Sequence, residues 1–166
     1  MNFRALEPED LTLLYDLEND PDMWDVCTPG GPYSHFALLR YVEQQGQDLL
    51  TAGQLRLVAE NDEGRMLGTL DLTNYSPTDR SAEVGVAVLR AERKQGVATE
   101  MLRWLDDHAR LRLNLRMLYA HVSLRHNPAS MQLFLSQGYE QVAVLPAWHF
   151  RMGEYEDLAL MQKLLK

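Results

Sequence analysis

Cysteine, basic residues and long apolar runs are scarce in this sequence. The 166-residue chain contains one cysteine, Cys27, which excludes an internal disulfide. No uninterrupted apolar run approaches the roughly 18 residues that span a bilayer. The first ten residues carry Glu7, Glu9 and Asp10 instead of the basic start typical of a secretory signal. With 46% hydrophobic, 24% charged and 8% aromatic residues, we expect one soluble, cytoplasmic domain over residues 1–166, large enough to bury a core and form a ligand cleft.

The net charge is negative and unevenly distributed. The chain has 16 basic and 24 acidic residues, which gives a net charge of −8. Residues 1–25 contain one base, Arg4, and eight acids: Glu7, Glu9, Asp10, Asp16, Glu18, Asp20, Asp22 and Asp25. An acidic surface repels phosphate, so we expect neither nucleic acid nor a membrane as a partner. Two interpretations of the acids stay open: attraction of a cationic acceptor, or a solvated helix that only keeps the protein soluble.

Hydrophobic periodicity in the first half predicts two helices and an antiparallel hairpin. Asn2 to Leu6 is predicted as a strand, and the segment after Pro8 as an acidic amphipathic helix with apolar Leu11, Leu14, Tyr15 and Leu17. A loop from Asp20 to Pro32 precedes a helix that Ser34 caps and that runs to about Gln47. Strands Gln54–Glu60 and Met66–Leu72 flank a turn at Asn61–Gly64, which predicts a hairpin.

The second half alternates strands with helices. Ala82–Leu89 is apolar on both faces and is therefore predicted as a central strand, with Gly85 as a candidate kink. The longest helix runs from Gly96 to about Leu113, its core face formed by Val97, Met101, Leu105 and either His108 or Ala109. The remaining predicted elements are strand Met117–Val122, helix Pro128–Ser136, and closing strands Glu140–Leu145 and Leu158–Leu165. This order predicts an α+β fold, with a mixed, mainly antiparallel sheet and helices on both faces.

One segment has the composition of a phosphate-binding loop. It reads Arg93-Lys94-Gln95-Gly96-Val97-Ala98-Thr99 and lies between the apolar strand and the long helix. Unpaired backbone N–H groups and the positive end of a helix dipole bind phosphates at such a position. Neither the dinucleotide pattern Gly-x-Gly-x-x-Gly nor the Walker pattern is present, so an ordinary strand-to-helix turn remains the alternative.

Taken together, the motifs resemble the GNAT acetyltransferases, and among them the spermidine acetyltransferases and the ribosomal-protein N-terminal acetyltransferases. The resemblance is carried by Arg93-x-x-Gly96-x-Ala98, Asn127-x-x-Ser130, Leu133-Phe134-x-x-x-Gly138-Tyr139, the opening Arg4-x-Leu6-x-x-x-Asp10, the pair Ala82-Glu83 and the closing Gly153-x-Tyr155-x-Asp157. It covers nearly the whole chain. It implies a GNAT fold and an acetyl-CoA-dependent transfer of an acetyl group to a primary amine.

The resemblance also implies positions for acetyl-CoA. The backbone of Gln95, Gly96, Val97, Ala98 and Thr99 would hold the pyrophosphate, with Arg93 and Lys94 adding positive charge. Main-chain groups of Val86, Ala87 and Val88 would pair with the pantetheine arm as an added strand does. Asn127, Ser130 and Phe134 would lie along the cofactor near its thioester.

For the chemistry, a neutral amine must attack the thioester carbonyl, so a base has to remove a proton from an ammonium. Asp71 and Glu83 are the candidates for base or substrate anchor; alternatively, each pairs with an arginine on the sheet surface. Trp24, Trp148 and Tyr155 are candidates to line the acceptor cleft, or else they pack at its rim.

One position departs from the family pattern. The tyrosine that usually protonates the leaving thiolate lies seven residues after the asparagine, and Phe134 occupies that position here. The thiolate leaves unassisted, or Ser130, Tyr139 or an ordered water supplies the proton, although Tyr139 fits core packing better.

The acceptor hypotheses are a polyamine or diamine such as spermidine and, as an alternative, the α-amine of a ribosomal or other protein. A non-catalytic acetyl-CoA-binding module is a third. The five histidines lack metal-ligand spacing, so no metal is expected. The sequence leaves open whether the chain forms a homo-oligomer.

Overall fold

The computed structural model describes residues 1–21, 32–44, 49–151 and 153–166. The strands are β1 (Asn2–Ala5), β2 (Leu55–Glu60), β3 (Met66–Ser76), β4 (Ser81–Val88), β5 (Met117–Ser123), β6 (Glu140–Arg151) and β7 (Glu154–Leu164). The described helices are α1 (Leu11–Glu18), α2 (His35–Glu43), α3 (Leu49–Ala52), α4 (Val97–Leu111) and α5 (Pro128–Ser136), with 3-10 turns at Pro8–Asp10 and Arg90–Glu92. No helix in these ranges is both long and apolar enough to cross a membrane.

The seven strands of the described residues form one sheet in the order β1-β2-β3-β4-β5-β7-β6. Neighbours are antiparallel except β4 and β5, which run parallel. The apolar strand β4 therefore lies at the centre, as its two buried faces predicted. The α+β prediction of a mixed, mainly antiparallel sheet is confirmed.

Helices cover both faces of the sheet, as two separate clusters of buried apolar side chains show. In β2 and β3, Val58 and Met66 pack with α1 and α2, whereas their chain neighbours Ala59 and Leu67 belong to the main core with α4. Successive strand residues point to opposite faces, so the two clusters lie on opposite sides of the sheet. We call the side with α1 and α2 the α1 face and the other the α4 face.

In helix α4, Ala109 rather than His108 belongs to the core face, a choice that hydrophobic periodicity left open. Ala109 is fully buried, with Val97, Met101, Leu102 and Leu105. His108 stacks instead on Trp104 at 4.3 Å between ring centroids, at the border of the core. The helix ends at Leu111, two residues before the predicted end. The backbone N–H of Leu115 then bonds to the carbonyl of Ala109 and closes the turn.

The predicted helix starts at Ser34 and Pro128 are confirmed: the Ser34 hydroxyl accepts a hydrogen bond from the N–H of Ala37, and α5 begins at Pro128. The second helix ends at Glu43, with Gln44 as its C-cap, before the predicted end at Gln47, which lies outside the described residues.

The closing strands differ from the prediction: β6 continues past Leu145 and Pro146 to Arg151, and β7 begins at Glu154 rather than at Leu158. The register of β6 against β7 shifts between Leu145 and His149, and Ala147 within that shift has a φ of 48°. A bulge on an edge strand accommodates a proline without ending the strand. The sheet therefore continues to a tight turn at Gly153.

Candidate functional site

The central strand leaves part of one edge open. β4 pairs with β5 only at Ser81, Ala82 and Glu83, opposite Met117, Leu118 and Tyr119. β3 covers the other edge of β4 as far as Val88, while β5 continues alongside β7. In the described residues the two parallel strands thus begin together and then separate. We call the opening between them the fork. Along it, Val86, Ala87 and Val88 are half-buried and lie on a strand edge that no described strand covers, of the kind an extended ligand binds.

At the far end of β4, the loop before α4 has the conformation of an anion-binding nest. Lys94 has a φ of 63° and Gly96 a φ of 84°, both in the left-handed region. Gly96 is the N-cap of the 15-residue helix α4 and has no side chain to satisfy the N–H groups of the first turn. A Cβ added to Gly96 would meet no atom within 4 Å. Free amides, a helix dipole and open space together fit a pyrophosphate.

The side chains of three loop residues, Arg93, Gln95 and Val97, contact other parts of the protein. Val97 buries its side chain in the core, so only its backbone faces the loop. The Gln95 amide donates back to the carbonyl of Ala91 at 2.9 Å. Arg93 donates to the carbonyl of Val88 at 3.0 Å and to Asp20 at 2.6 Å. Arg93 therefore ties the end of β4 to the end of α1, and its charge is shared with a carboxylate.

On the opposite side of the fork, α5 begins with a side-chain cap. The Asn127 side chain accepts a hydrogen bond from the N–H of Ser130 at 3.1 Å. Phe134 is 5% exposed and packs edge-to-face on Tyr139, with ring centroids 4.9 Å apart. Tyr139 is also buried, which confirms its assignment to the core, and burial together with nearby Asp106 raises the pKa of its hydroxyl.

At the closed end of the fork, polar groups meet on the α1 face. The Glu83 carboxylate contacts Nδ1 of His121 at 2.6 Å and accepts a hydrogen bond from Asn74 at 2.7 Å. Tyr119 lies edge-on to His121, and its pKa is raised by burial and by the charge of Glu83. Gly85 is the next residue of β4 on this face, and a Cβ added there would lie 3.4 Å from the Cβ of Asp71. Sequence reasoning had found Glu83 but not His121, because nothing local links residues 38 positions apart.

Asp71 has a different environment. It lies opposite Gly85 in the ladder, but both of its oxygens accept hydrogen bonds from Arg56, at 2.5 and 3.1 Å. Arg56 also donates to Glu18 at 2.5 Å and lies over the Tyr41 ring. The alternative interpretation of Asp71, a carboxylate paired with an arginine, is what the structure shows. Glu83 instead pairs with a histidine, which that alternative did not anticipate.

A second carboxylate–imidazole pair lies beyond the end of β5. Glu156 accepts hydrogen bonds from the Ser123 hydroxyl at 2.7 Å and contacts Nδ1 of His126 at 2.7 Å. The backbone N–H of His126 donates to the Ser123 oxygen, which closes the cluster. Burial alone would raise the pKa of Glu156. The hydrogen bonds from Ser123 and His126 outweigh that effect and lower it, so the group is a carboxylate at neutral pH.

Three acids of the amino-terminal region pair with arginines. Asp10 binds Arg4 through both oxygens, at 2.6 and 2.7 Å, while Glu18 and Asp20 bind the arginines named above. Asp16 and Asp20 also line a cavity of about 580 Å³ between α1 and the 3-10 turn Arg90–Glu92.

The aromatic candidates are not brought together at the fork. Tyr155 is 68% exposed on the β6–β7 hairpin, where it contacts Phe150 with centroids 5.2 Å apart; Trp148, on the same hairpin, is also exposed. Trp24 lies outside the described residues. Within the described ranges, no group of His, Cys, Asp and Glu side chains could hold a metal ion.

Comparisons with known proteins agree with this geometry. The acetyltransferase (GNAT) domain model matches residues 1–140. Spermidine N(1)-acetyltransferase of Vibrio cholerae is 26% identical over 161 residues, which cover 97% of this chain and 91% of the relative. Phosphinothricin N-acetyltransferase of Alcaligenes faecalis is 37% identical over 123 residues, which cover 70% of this chain and 60% of the relative. A crystal structure of V. cholerae spermidine N-acetyltransferase in complex with CoA and spermine matches with a TM-score of 0.88 at 24% identity, covering 99% of this chain and 95% of that one; at this identity the match shows the fold.

Proposed function

Because the chain belongs to the GNAT acetyltransferase family, we propose that it transfers the acetyl group of acetyl-CoA to a primary amine, and that a polyamine or diamine is the acceptor. The observation that carries the proposal is the fork, which is open along Val86–Val88 and runs from the phosphate loop to the Glu83–His121 pair. An extended cosubstrate with a pyrophosphate at one end and a reactive group at the other fits this opening.

We propose the following groups as those that would hold acetyl-CoA. Backbone N–H groups of the loop from Gln95 to Thr99 would bind the pyrophosphate, with the exposed Lys94 adding charge. The strand edge at Val86–Val88 would pair with the amides of the pantetheine arm. Asn127, Ser130 and Phe134 would flank the cosubstrate from the start of α5. Acetyl-CoA supplies the activated acyl group, and the protein supplies position and proton transfer.

The Glu83–His121 pair is suited to removing the proton of the acceptor ammonium. An ionised carboxylate only accepts hydrogen bonds, so the 2.6 Å contact places a proton on Nδ1 of His121. In the neutral ring, Nε2 then has a free lone pair and can take the proton before the amine attacks. Glu83 thus positions the ring and balances the charge that develops on it. This assignment replaces direct proton removal by Glu83.

The charge around Gly85 favours a cationic acceptor. Two carboxylates, Glu18 and Asp71, share the single guanidinium of Arg56, and Glu83 adds another negative charge on the same face. An ammonium group is attracted to such a surplus of carboxylates. The similarity to a spermidine N-acetyltransferase over nearly the whole chain supports the same class. The α-amine of a protein N-terminus is the second candidate; it is favoured by Phe134, since N-terminal acetyltransferases tolerate loss of the tyrosine acid more readily.

Steady-state kinetics with spermidine, spermine and putrescine test the acceptor, with propylamine as a monoamine control. We expect polyamine kcat/KM to exceed the propylamine value by about 10-fold or more, the gain from one added charge interaction of about 1.4 kcal/mol. Equal rates for all four amines would refute the polyamine assignment. Mass spectrometry of an N-terminal peptide library with acetyl-CoA decides the second candidate, since transfer adds one acetyl group to the α-amine.

Two variants test the proton acceptor. His121→Gln and Glu83→Gln should each lower kcat by about 100-fold, the usual size of general-base catalysis, and the double variant should be no worse than the singles. Asp107→Asn is the matched control, because this carboxylate is exposed on α4 and pairs only with neighbouring Arg110 among its described contacts. If His121→Gln retains wild-type kcat, the imidazole is not the base.

A further inference from the structure

The proton for the leaving thiolate has no source at the position where the family carries its tyrosine. Phe134 has no proton to give, and its ring is packed into the core. Tyr139, its neighbour in space, is 2% exposed, and burial beside Asp106 raises the pKa of its hydroxyl. Tyr139 also packs under Lys163 on the α4 face. Phe134 therefore lacks the proton, and the hydroxyl of Tyr139 is not available to a sulfur in the fork.

The His126–Glu156 pair has the form of a held proton donor. Glu156 is 6% exposed and ionised, so its contact with Nδ1 of His126 fixes a proton on that nitrogen. The Ser123 hydroxyl and the His126 backbone N–H lock the carboxylate and the loop in place. The His126 side chain itself is about one-third exposed, which leaves Nε2 as the nitrogen that can exchange a proton with a ligand. The buried carboxylate balances the charge of the protonated ring.

The position of the pair relates it to the fork. Ser123 is the last residue of β5, the strand that separates from β4, and His126 immediately precedes Asn127, the cap of α5. Ser123 lies two residues after His121, so both are on the same face of β5, roughly 7 Å apart along the strand. The two imidazole–carboxylate pairs thus follow one another along β5, the strand that borders the fork.

We propose that His126, held by Glu156 and Ser123, donates the proton that the thiolate of CoA takes up as it leaves. The step rests on the proposed acetyl transfer. The amine nitrogen bonds to the acetyl carbon, the carbon–sulfur bond breaks, and the sulfur takes a proton from Nε2 of the His126 imidazolium. His121 takes the proton of the acceptor ammonium. The imidazole of His121 thereby accepts one proton and that of His126 donates the other, so the reaction does not need the tyrosine.

Binding of CoA and of desulfo-CoA, which lacks the thiol, tests the contact without any turnover. By calorimetry, the wild-type protein should bind CoA about 2- to 10-fold more tightly than desulfo-CoA, the range expected for one hydrogen bond. In His126→Gln this preference should disappear while the affinity for desulfo-CoA stays the same. His149→Gln is the matched control, because His149 lies opposite Glu156 in the ladder and acts on it only through charge. It should keep the wild-type preference.

Kinetics give a second, independent readout. His126→Gln should lower kcat by about 10- to 100-fold with little change in KM for acetyl-CoA. Adding Phe134→Tyr to that variant should restore part of kcat, because a phenol then occupies the family's acid position; a merely structural role for His126 would not be rescued in this way.

The outcomes separate the two proposals. An undiminished preference for CoA over desulfo-CoA in His126→Gln overturns the role of His126, whatever happens to the rate. If no amine is acetylated by the wild-type protein, the proposed function fails, while the calorimetric comparison still decides whether His126 meets the sulfur.

Discussion

Replacing Gly96 by tryptophan gives a direct test of the phosphate loop. Gly96 has a φ of 84° and caps α4, and a Cβ there would point into space with no atom within 4 Å. If that space receives the pyrophosphate, an indole fills it and also covers the N–H groups of the first helical turn. Gly96→Trp should therefore abolish CoA binding in a protein that still folds.

The backbone strain of Gly96→Trp is small beside the free energy of unfolding, whereas the loss of phosphate contacts is large enough to measure as a loss of binding. A left-handed φ costs a residue with a Cβ about 1–2 kcal/mol, which is small beside the roughly 5–15 kcal/mol that separates folded from unfolded domains. Charge-assisted hydrogen bonds contribute about 1.5–3 kcal/mol each. Losing two of them at the phosphates raises the dissociation constant by at least about 100-fold.

Calorimetric titration with CoA measures the effect, and thermal unfolding confirms that the variant is folded. Gly64→Trp is the matched control: Gly64 has a φ of 78°, also faces open space, and lies in the turn between β2 and β3. It carries the same backbone strain without touching the loop, so it should bind CoA like the wild type. A Gly96→Trp protein that binds CoA within about threefold of wild type, or an equal loss in Gly64→Trp, would refute the placement of the pyrophosphate.

Three further substitutions probe the rest of the site. Gly85→Val places a side chain on the floor of the fork, 3.4 Å from Asp71 at its Cβ, and should raise KM for the amine by about 10-fold or more while CoA affinity, measured by calorimetry, is unchanged. Asp71→Asn should lower the free energy of unfolding by about 1–3 kcal/mol in urea, because Arg56 loses a bidentate partner; a kcat loss as large as that of the base variants would instead mark Asp71 as catalytic. Asp10→Asn should cost about 1–2 kcal/mol at pH 7, since Arg4 keeps Glu60 as a partner and is partly exposed. Burial alone would raise the pKa of Asp10, but its bonds to Arg4 outweigh this and lower it, so its stabilisation is complete above about pH 4 and is lost as the pH falls through the folded-state value. The gap between wild type and Asp10→Asn should thus be equal at pH 7 and pH 5 and narrow below pH ~4, and a gap that is unchanged at low pH would contradict the ionic origin of the effect.

The fold was predictable where local patterns decide the structure. The two apolar faces of β4 indicated its central place, and Ser34 and Pro128 marked helix starts through capping and fixed φ. The predicted end of β6 at Leu145 was wrong, because a bulge in an edge strand is a property of the pairing with β7 and leaves no local signal.

The site was predictable only in part, for a related reason. The phosphate loop is contiguous in sequence, so Gly96 and its neighbours could be recognised from a single segment. His121 and His126 are candidates because each contacts a carboxylate, Glu83 and Glu156 respectively. These carboxylates lie 38 and 30 residues away in the sequence, and the strand order and register bring them near. Arg93 was expected at the phosphates because of its place in the loop. Its bonds to Val88 and Asp20 depend on how α1 docks, which one segment cannot reveal.

The total charge of the acidic amino-terminal region is a weaker argument for a cationic acceptor than one local feature, in which two carboxylates share one arginine. Asp10 and Asp20 each meet an arginine, so they contribute little field beyond their immediate contacts. Glu18 competes with Asp71 for the single guanidinium of Arg56, and that network keeps a net negative charge beside Gly85. Glu18→Gln would remove one negative charge from this network and leave Arg56 paired with Asp71. If the surplus of negative charge selects the acceptor, Glu18→Gln should raise KM for spermidine relative to propylamine, whereas an unchanged ratio would show that the selection lies elsewhere.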